Sequence, residues 1–394
     1  MASPVRILSI VNAAAAVVSW LQALNSQWLT ETWQQGIAIL LVLVFTGFLA
    51  CQRTRMVQNV LNIATIVMGF STVLIVLAAV LWLLNGHHAA TNFTTANWAI
   101  NPSNFALLGS ATLALLGSDM PLALAGEVKP QKKRSILSHH LTWGTLLTLG
   151  GYLLFTFAVL VVQGANNAAN TVNPMILLIG TVDAVFGKTV GNLMAIGLGF
   201  YFLMIPVAFH ICFARMLLVA SIDRRISIWF AKLNQHRVPI NVLLAQITIT
   251  VVAALVIYFL VPSISFLGKP GDLSSIAYNV IGASLLLVWA FSFLFPFIDV
   301  VVLYFKDRDR FLQNHILPLP LLIPLLMICA LMGTLLCLST IVFTLLNSFI
   351  PTLIPNSTWW YVIGGSAFGG ILIFAVFSLL ATSEASWEEM NRWS

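Results

Sequence analysis

The distribution of apolar residues along the chain is its first structural signal. Long apolar segments, such as 37–50, 141–162 and 319–350, are separated by short polar stretches, and they do not alternate between apolar and polar residues. A membrane-spanning α-helix needs about 20 mostly apolar residues, whereas the strands of a membrane β-barrel alternate. The pattern therefore predicts an all-α, polytopic membrane protein.

Ten segments are predicted to span the membrane. They are residues 6–28, 34–51, 57–84, 105–127, 140–163, 190–221, 240–261, 275–305, 317–349 and 359–382, followed by a polar tail, 383–394. Segments longer than about 20 residues tilt or extend beyond the bilayer, so they do not require further spans. The stretch 174–187 is apolar but short, and Asp183 and Lys188 interrupt or flank it. We expect a re-entrant or surface helix there.

Lysine and arginine residues predict the orientation of these spans. The loops after the second, fourth, sixth and eighth spans carry Arg53, Arg55, Lys129, Lys132, Lys133, Arg134, Arg224, Arg225, Lys232, Arg237, Lys306, Arg308 and Arg310. If the ten spans alternate, all these loops share one side, and the opposite side carries Lys188 and Lys269. Basic loops are cytoplasmic. Both termini of a multi-pass plasma-membrane protein are then expected in the cytoplasm.

The first apolar segment has a second interpretation, a secretory signal peptide. Arg6 precedes an apolar stretch that contains a run of alanines, as in such leaders. However, the stretch continues through Trp20 and Leu24 without a small-residue cleavage site at its end. This favours a membrane span over a leader.

Composition agrees with a membrane protein and disfavours other function classes. The 394 residues are 60% hydrophobic and 8% charged, whereas soluble proteins carry about 25% charged residues. The net charge of +6 resides in short clusters between apolar segments, so it indicates topology rather than nucleic-acid binding. The four cysteines lie in or beside apolar segments without C-x-x-C spacing. No metal-ligand, phosphate-loop or nucleophile motif occurs, so neither a cofactor nor an enzyme is predicted.

Asp119 is the most informative ionisable residue within a predicted span. Pro121 has no N–H, so the carbonyl of Gly117 loses its helical partner. A helix broken at mid-membrane is tolerated where its free backbone groups face a cavity or a ligand. A carboxylate at such a break can hold an ammonium group or carry a proton. The alternative is a proline kink in which Asp119 caps the second half-helix.

Three more ionisable residues lie within predicted spans. His210 follows Pro206 by one helical turn, and it is either a proton relay or a hydrogen-bonded packing residue. Asp299 lies near the cytoplasmic end of the eighth span. It is either a gate partner for a basic residue such as Arg215 or a carboxylate that reaches water.

Several segments resemble the amino acid–polyamine–organocation (APC) permease superfamily. Residues 117–130 are similar to the family's broken sixth helix and its cytoplasmic end, and residues 214–241 to its eighth helix and the following loop. Residues 57–61 are similar to the start of its fifth helix. The resemblance covers essentially the whole chain as one permease domain. It implies a LeuT-like inverted-repeat fold, in which the ten spans correspond to family helices three to twelve.

The resemblance also implies a function and a site. We expect alternating-access transport of a small amino acid or related amine across the lipid bilayer, by exchange or coupled to protons or sodium. The expected substrate site comprises Leu116, Gly117, Ser118, Asp119 and Met120, with Trp20, Trp289 and Phe293 as aromatic residues that line it or pack. Candidate coupling or gating residues are Thr65, His210, Arg215 and Asp299. Ser118 replaces the family's usual bulky gate residue, and Thr65 stands where some members carry a lysine.

The family's first two helices have no counterpart in this sequence. The first of them carries a glycine-rich break that binds the substrate carboxylate, so the chain alone is expected not to transport. A degenerate permease that serves as a membrane partner or sensor is the alternative function. The intact break at 117–121 favours a transporter.

Single cysteines in a cysteine-free variant test the predicted orientation. Lys132→Cys and Lys232→Cys are expected to react with a membrane-impermeant maleimide only from the cytoplasmic side, because basic loops are retained there. Asn92→Cys is expected to react only from outside. Labelling at position 132 from outside would contradict the topology.

Overall fold

The described part of the chain is helical. A computed structural model describes residues 4–25, 27–94, 108–113, 130–171, 173–223, 226–260, 273–306, 319–351, 353–370 and 372. No strand occurs among these residues, and seven of their helices are long and apolar enough to cross a membrane. The predicted all-α, polytopic class is confirmed, whereas the ten-span count and the inverted repeat remain predictions.

The helices are α1 (Pro4–Leu24), α2 (Thr32–Ala50), α3 (Thr54–Leu84), α4 (Leu108–Leu113), α5 (Pro130–Val162), α6 (Ala165–Asn170), α7 (Pro174–Phe186), α8 (Lys188–Ile222), α9 (Ile240–Leu255), α10 (Leu273–Lys306), α11 (Leu319–Leu346) and α12 (356–370). A 3-10 helix, Ile228–Ala231, precedes α9, and a π-helical turn, Val256–Leu260, follows it. The seven long apolar helices are α2, α3, α5, α8, α9 with its π-helical turn, α10 and α11.

The helix bounds differ from the predicted spans chiefly at α5. This helix begins at Pro130, well before residue 140, so Lys132, Lys133 and Arg134 lie in a helix rather than in a loop. Proline suits the first helical position because its missing N–H would have no intrahelical partner there. The predicted fourth span falls largely within residues 114–129, outside the described residues.

The described helices divide between two compact units. The first contains α1 to α3, α5 to α9 and the start of α10 as far as Tyr278. The second contains α4, the remainder of α10, α11 and α12.

Four helices of the first unit, α1, α2, α8 and α9, form a bundle in which each helix contacts the other three. Helix α8 also packs against α3 and α7. Its buried residues include Met194, Leu198, Val207 and Phe213. Because it contacts α1, α2, α3, α7 and α9, α8 is the central helix of this unit.

Two core clusters fix the directions of the helices around α8. One cluster joins Trp20 of α1 and Ile75 of α3 to Ala195 near the start of α8. The other joins Ala50 and Val57, where α2 ends and α3 begins, to residues 204–214 of α8. Helix α1 ends at the first cluster, where the turn to α2 begins, so α1 and α3 both run antiparallel to α8.

Glycines allow α2 and α9 to approach closely. A Cβ atom built on Gly36 would lie 2.7 Å from a ring carbon of Phe259, and one on Gly47 would lie 2.5 Å from the side chain of Ile247. The two contacts place α2 antiparallel to α9. Small residues at helix contacts are the usual device for close packing in membranes.

The short apolar stretch after α6 forms a helix, α7, that packs against α1, α3, α5 and α8. Asn173 is its N-cap: its side-chain oxygen accepts from the N–H of Met175 at 3.1 Å, and its amide donates to the Ser19 carbonyl at 2.7 Å. Gly187, with φ 82°, joins α7 to α8. A position at the membrane surface remains a prediction.

The second unit is held by contacts among α4, α10, α11 and α12. Ser284 of α10 and Ser366 of α12 share a hydrogen bond of 2.6 Å. Gly333 of α11 faces the ring of Phe297, and the indole N–H of Trp359 donates to the Thr344 carbonyl at 2.8 Å. Each contact joins two helices of this unit.

Gly199 tests the packing of α1 on α8. A Cβ at this position would lie 2.9 Å from Cδ1 and Nε1 of the Trp20 indole. We expect Gly199→Ala to lower the free energy of unfolding by about 1–3 kcal/mol, the usual effect of overpacking. Thermal unfolding in detergent measures this.

The matched control is Gly69→Ala on α3, where nothing lies within 4 Å of the added Cβ. Alanine favours a helix over glycine, so this variant should be as stable as the parent or more so. Equal destabilisation by the two substitutions would contradict the close α1–α8 contact.

Candidate functional site

The residues expected to hold the substrate lie outside the described part of the chain. Leu116, Gly117, Ser118, Asp119 and Met120 fall within 114–129, so their roles remain predictions. The structure describes α4, which leads into this stretch, and α5, which follows it.

Helix α4 is fixed against α11 by small and hydroxyl-bearing residues. A Cβ built on Gly109 would lie 3.2 Å from Cα of Thr344, so the backbones of the two helices come close. Thr112 is buried; its hydroxyl donates to the Leu108 carbonyl at 2.7 Å and accepts from the Thr340 hydroxyl at 3.3 Å. The chain therefore enters residues 114–120 from a helix that packing and hydrogen bonds hold in place.

Trp20 is a core residue between α1 and α8. Its side chain is 1% exposed, and its indole N–H donates to the Ala195 carbonyl at 2.8 Å. Its ring lies against that of Phe202, with centroids 5.5 Å apart. These contacts occupy both the ring and its polar atom, so they support the packing interpretation of Trp20.

Trp289 and Phe293 form a different arrangement on α10. Their rings are 4.6 Å apart and inclined by 31°. The indole nitrogen of Trp289 is buried, and it makes no hydrogen bond to any described residue. A buried indole N–H normally has a partner. Of the two tryptophans expected from sequence, Trp289 is therefore the better candidate for a ligand contact.

The candidate coupling residues differ in their surroundings. Thr65 is exposed on α3, and its hydroxyl donates to the Leu61 carbonyl at 2.9 Å. Asp299 is exposed on α10. His210 is fully buried on α8, with Nδ1 3.4 Å from the side-chain amide of Gln246 on α9.

Arg215 lies near the end of α8, where it contacts the turn that precedes α9. Its guanidinium donates to the Arg237 carbonyl at 3.5 Å, and Arg237 adopts a positive φ of 59°. With Thr54 and Pro239, Arg215 lines a small pocket at this end of the unit. Pairing of Arg215 with Asp299 remains a prediction.

Three polar residues of the first unit, for which the sequence indicates no role, have buried polar atoms. Gln246 is fully buried, and Asn12 and Asp183 each have one buried side-chain oxygen without a hydrogen bond among the described residues. The Asp183 carboxylate lies against Gly191 in the first turn of α8, where the helix dipole favours an anion. All three could have been identified from the sequence, because each is a polar residue within an apolar segment.

The described residues contain no group of three histidine, cysteine, aspartate or glutamate side chains that could hold a metal ion.

Comparison with known families identifies a match over nearly the whole chain. The sequence profile of the family described as "Amino acid permease" matches residues 2–379. No curated protein matches the chain.

Replacing Trp20 and Trp289 separately by phenylalanine tests whether their indole N–H groups differ in hydrogen bonding. Trp20→Phe removes a buried hydrogen bond to α8, so it should lower the free energy of unfolding by about 1 kcal/mol more than Trp289→Phe does. Both changes remove a similar ring area, which makes them controls for one another. Thermal unfolding measures the difference, and equal losses would contradict the assigned roles.

Proposed function

The chain belongs to the amino acid permease family, and on that premise we propose, in place of the expectation from sequence that the chain alone does not transport, that it transports an amino acid or related amine by alternating access. It acts in this proposal as a secondary transporter or exchanger, with both termini in the cytoplasm. The observation that best supports this mechanism is that every pair of helices in the bundle of α1, α2, α8 and α9 is in contact.

The bundle serves as the fixed part of the transporter. Sliding of α2 along α9 would drive the side chains of Ile247 and Phe259 into the backbone of α2 at its two glycines. Rotation of α1 would break the bond from Trp20 to Ala195. Closely packed elements move as rigid bodies, so the motion of alternating access occurs against this bundle rather than within it.

The substrate binds at the interrupted helix around Asp119. Half-helix ends carry partial charges that suit the ammonium and carboxylate groups of a small zwitterion. The carboxylate of Asp119 adds a full negative charge for the ammonium group. The support for this site is the Gly117–Pro121 sequence, together with the anchoring of α4 just before it.

Trp289 and Phe293 of the second unit are the candidates for aromatic contact with a ligand. The indole N–H of Trp289 supplies a hydrogen-bond donor that no described protein group uses. Trp20 takes no part in binding, because its N–H is committed to α8. Thr65, Arg215 and Asp299 are the candidates for coupling and gating in this proposal.

Neutralising Asp119 tests the proposed site. Asp119→Asn should weaken the binding of a radiolabelled amino acid to the purified protein about tenfold or more, because a charge-assisted hydrogen bond is lost. The control, Asp299→Asn, changes an exposed carboxylate on α10 and should leave binding largely intact. Equal and small effects would return Asp119 to the role of a helix cap. Absence of binding by the parent chain for every amino acid tested would contradict the proposed function itself.

A further inference from the structure

Gln246 reaches from α9 to the backbone of α8. With its side-chain nitrogen toward His210, it donates to the His210 carbonyl at 3.2 Å, and its oxygen accepts from the N–H of Ala214 at 3.0 Å. Exchanging the two atoms would set oxygen against oxygen and N–H against N–H. The backbone of α8 therefore determines which way the amide faces.

This orientation also determines the tautomer of His210. The atom of Gln246 that lies 3.4 Å from Nδ1 of His210 is the one that faces the His210 carbonyl, and it is therefore the amide nitrogen. An amide nitrogen only donates hydrogen bonds, so Nδ1 must accept. A neutral imidazole with an accepting Nδ1 carries its proton on Nε2. A proton on Nδ1 would point at the N–H groups of Gln246.

The Nε2 atom of His210 is buried and has no hydrogen-bond partner among the described residues, and the same holds for Oδ1 of Asn12 on α1. The Trp20 ring lies against Phe202 and Gly199 of α8, and its indole N–H donates to the Ala195 carbonyl, so the end of α1 packs on residues 195–202 of α8. Because the two helices are antiparallel, Asn12, about 12 Å before Trp20 along α1, is displaced along α8 in the direction of His210.

We propose that Gln246 holds His210 as a neutral Nε2–H donor, and that this N–H and Oδ1 of Asn12 together bind one buried water molecule between α1 and α8. A buried water typically bridges protein groups that would otherwise be unsatisfied. One donor and one acceptor without a net charge suit water rather than an ion.

The charged residues of the helices packed against α8 are Arg6, Arg55 and Asp183, and those of α8 itself are Lys188 and Arg215. Asp183 lies in the last turn of α7, and the other four lie nearer the ends of their helices than the middle. In this arrangement Gln246 is a positioning residue, and His210 does not relay protons.

The tautomer is tested with the whole protein labelled with 15N in its histidines, with His210→Gln used to assign the signals. The spectrum should show His210 protonated at Nε2 and not at Nδ1, unchanged from about pH 5 to 8, where a free imidazole titrates. A proton on Nδ1, or conversion to imidazolium in this range, would overturn the proposal.

Gln246→Glu tests the positioning role, because a carboxylate at this position accepts from Nδ1. We expect the His210 signal to change to a form protonated at Nδ1. Gln35→Glu on α2, at another fully buried glutamine, should leave the signal unchanged. An unchanged His210 signal in Gln246→Glu would show that Gln246 does not set the tautomer. If Gln246→Glu does not fold, Gln246→Leu should produce a mixture of the two tautomers, and a single Nε2–H form would count against the proposal.

The shared water is tested by a double-mutant cycle on the melting temperature. If Asn12 and His210 bind the same molecule, the loss in Asn12→Leu/His210→Leu should be smaller than the sum of the two single losses. Additive losses, the behaviour of independent sites, would overturn the shared site. If the leucine variants do not fold, alanine at both positions gives the same comparison.

Discussion

The rest of the structure depends on the requirement that every backbone N–H and C=O within hydrocarbon has a partner inside the protein. Helices meet this requirement by themselves, except where proline removes a donor. Pro206 does so in α8, the helix that α1, α2, α3, α7 and α9 surround. Two side chains from neighbouring helices bond to the backbone of α8: Trp20 donates to the carbonyl of Ala195, and Gln246 bridges residues 210 and 214. The central helix is thus fixed by polar bonds as well as by packing.

A fixed central helix has a consequence for transport. The bundle of α1, α2, α8 and α9 has no pair of helices that can move apart without loss of contacts, so it suits a scaffold. In the proposed mechanism, substrate movement then requires other elements to change position. The proposed site around Asp119 lies in a stretch, Gly117–Pro121, whose sequence predicts a break in a helix. In this mechanism the bundle of α1, α2, α8 and α9 stays fixed, and residues 116–120 bind the substrate.

The class of the protein and most of its helices could be predicted from the sequence, because long apolar segments have one stable form in a bilayer. The start of α5 could not be predicted from apolarity, since its first turns carry charges and depend on Pro130 as a first helical residue. The sequence offers Trp20 and Trp289 as equivalent candidates, and the structure distinguishes them because a carbonyl accepts the indole N–H of Trp20, whereas that of Trp289 has no partner among the described residues. The hydrogen bonds of Gln246 are to backbone groups of another helix, α8, so no local sequence pattern predicts them. Asp119 lies outside the described residues, so its role remains a prediction that rests on Gly117 and Pro121 in the sequence.

The most direct test of a rigid scaffold is to lock two of its helices together. A Cβ built on Gly47 lies 3.7 Å from Cβ of Ile247, within the range of a disulfide, about 3.5–4.5 Å. Gly47→Cys/Ile247→Cys in a variant that lacks Cys51, Cys212, Cys329 and Cys337 would join α2 to α9. Saturable amino-acid uptake into proteoliposomes should be the same after oxidation as after reduction, because these helices keep their relative positions. Loss of uptake on oxidation, with recovery on reduction, would contradict the scaffold.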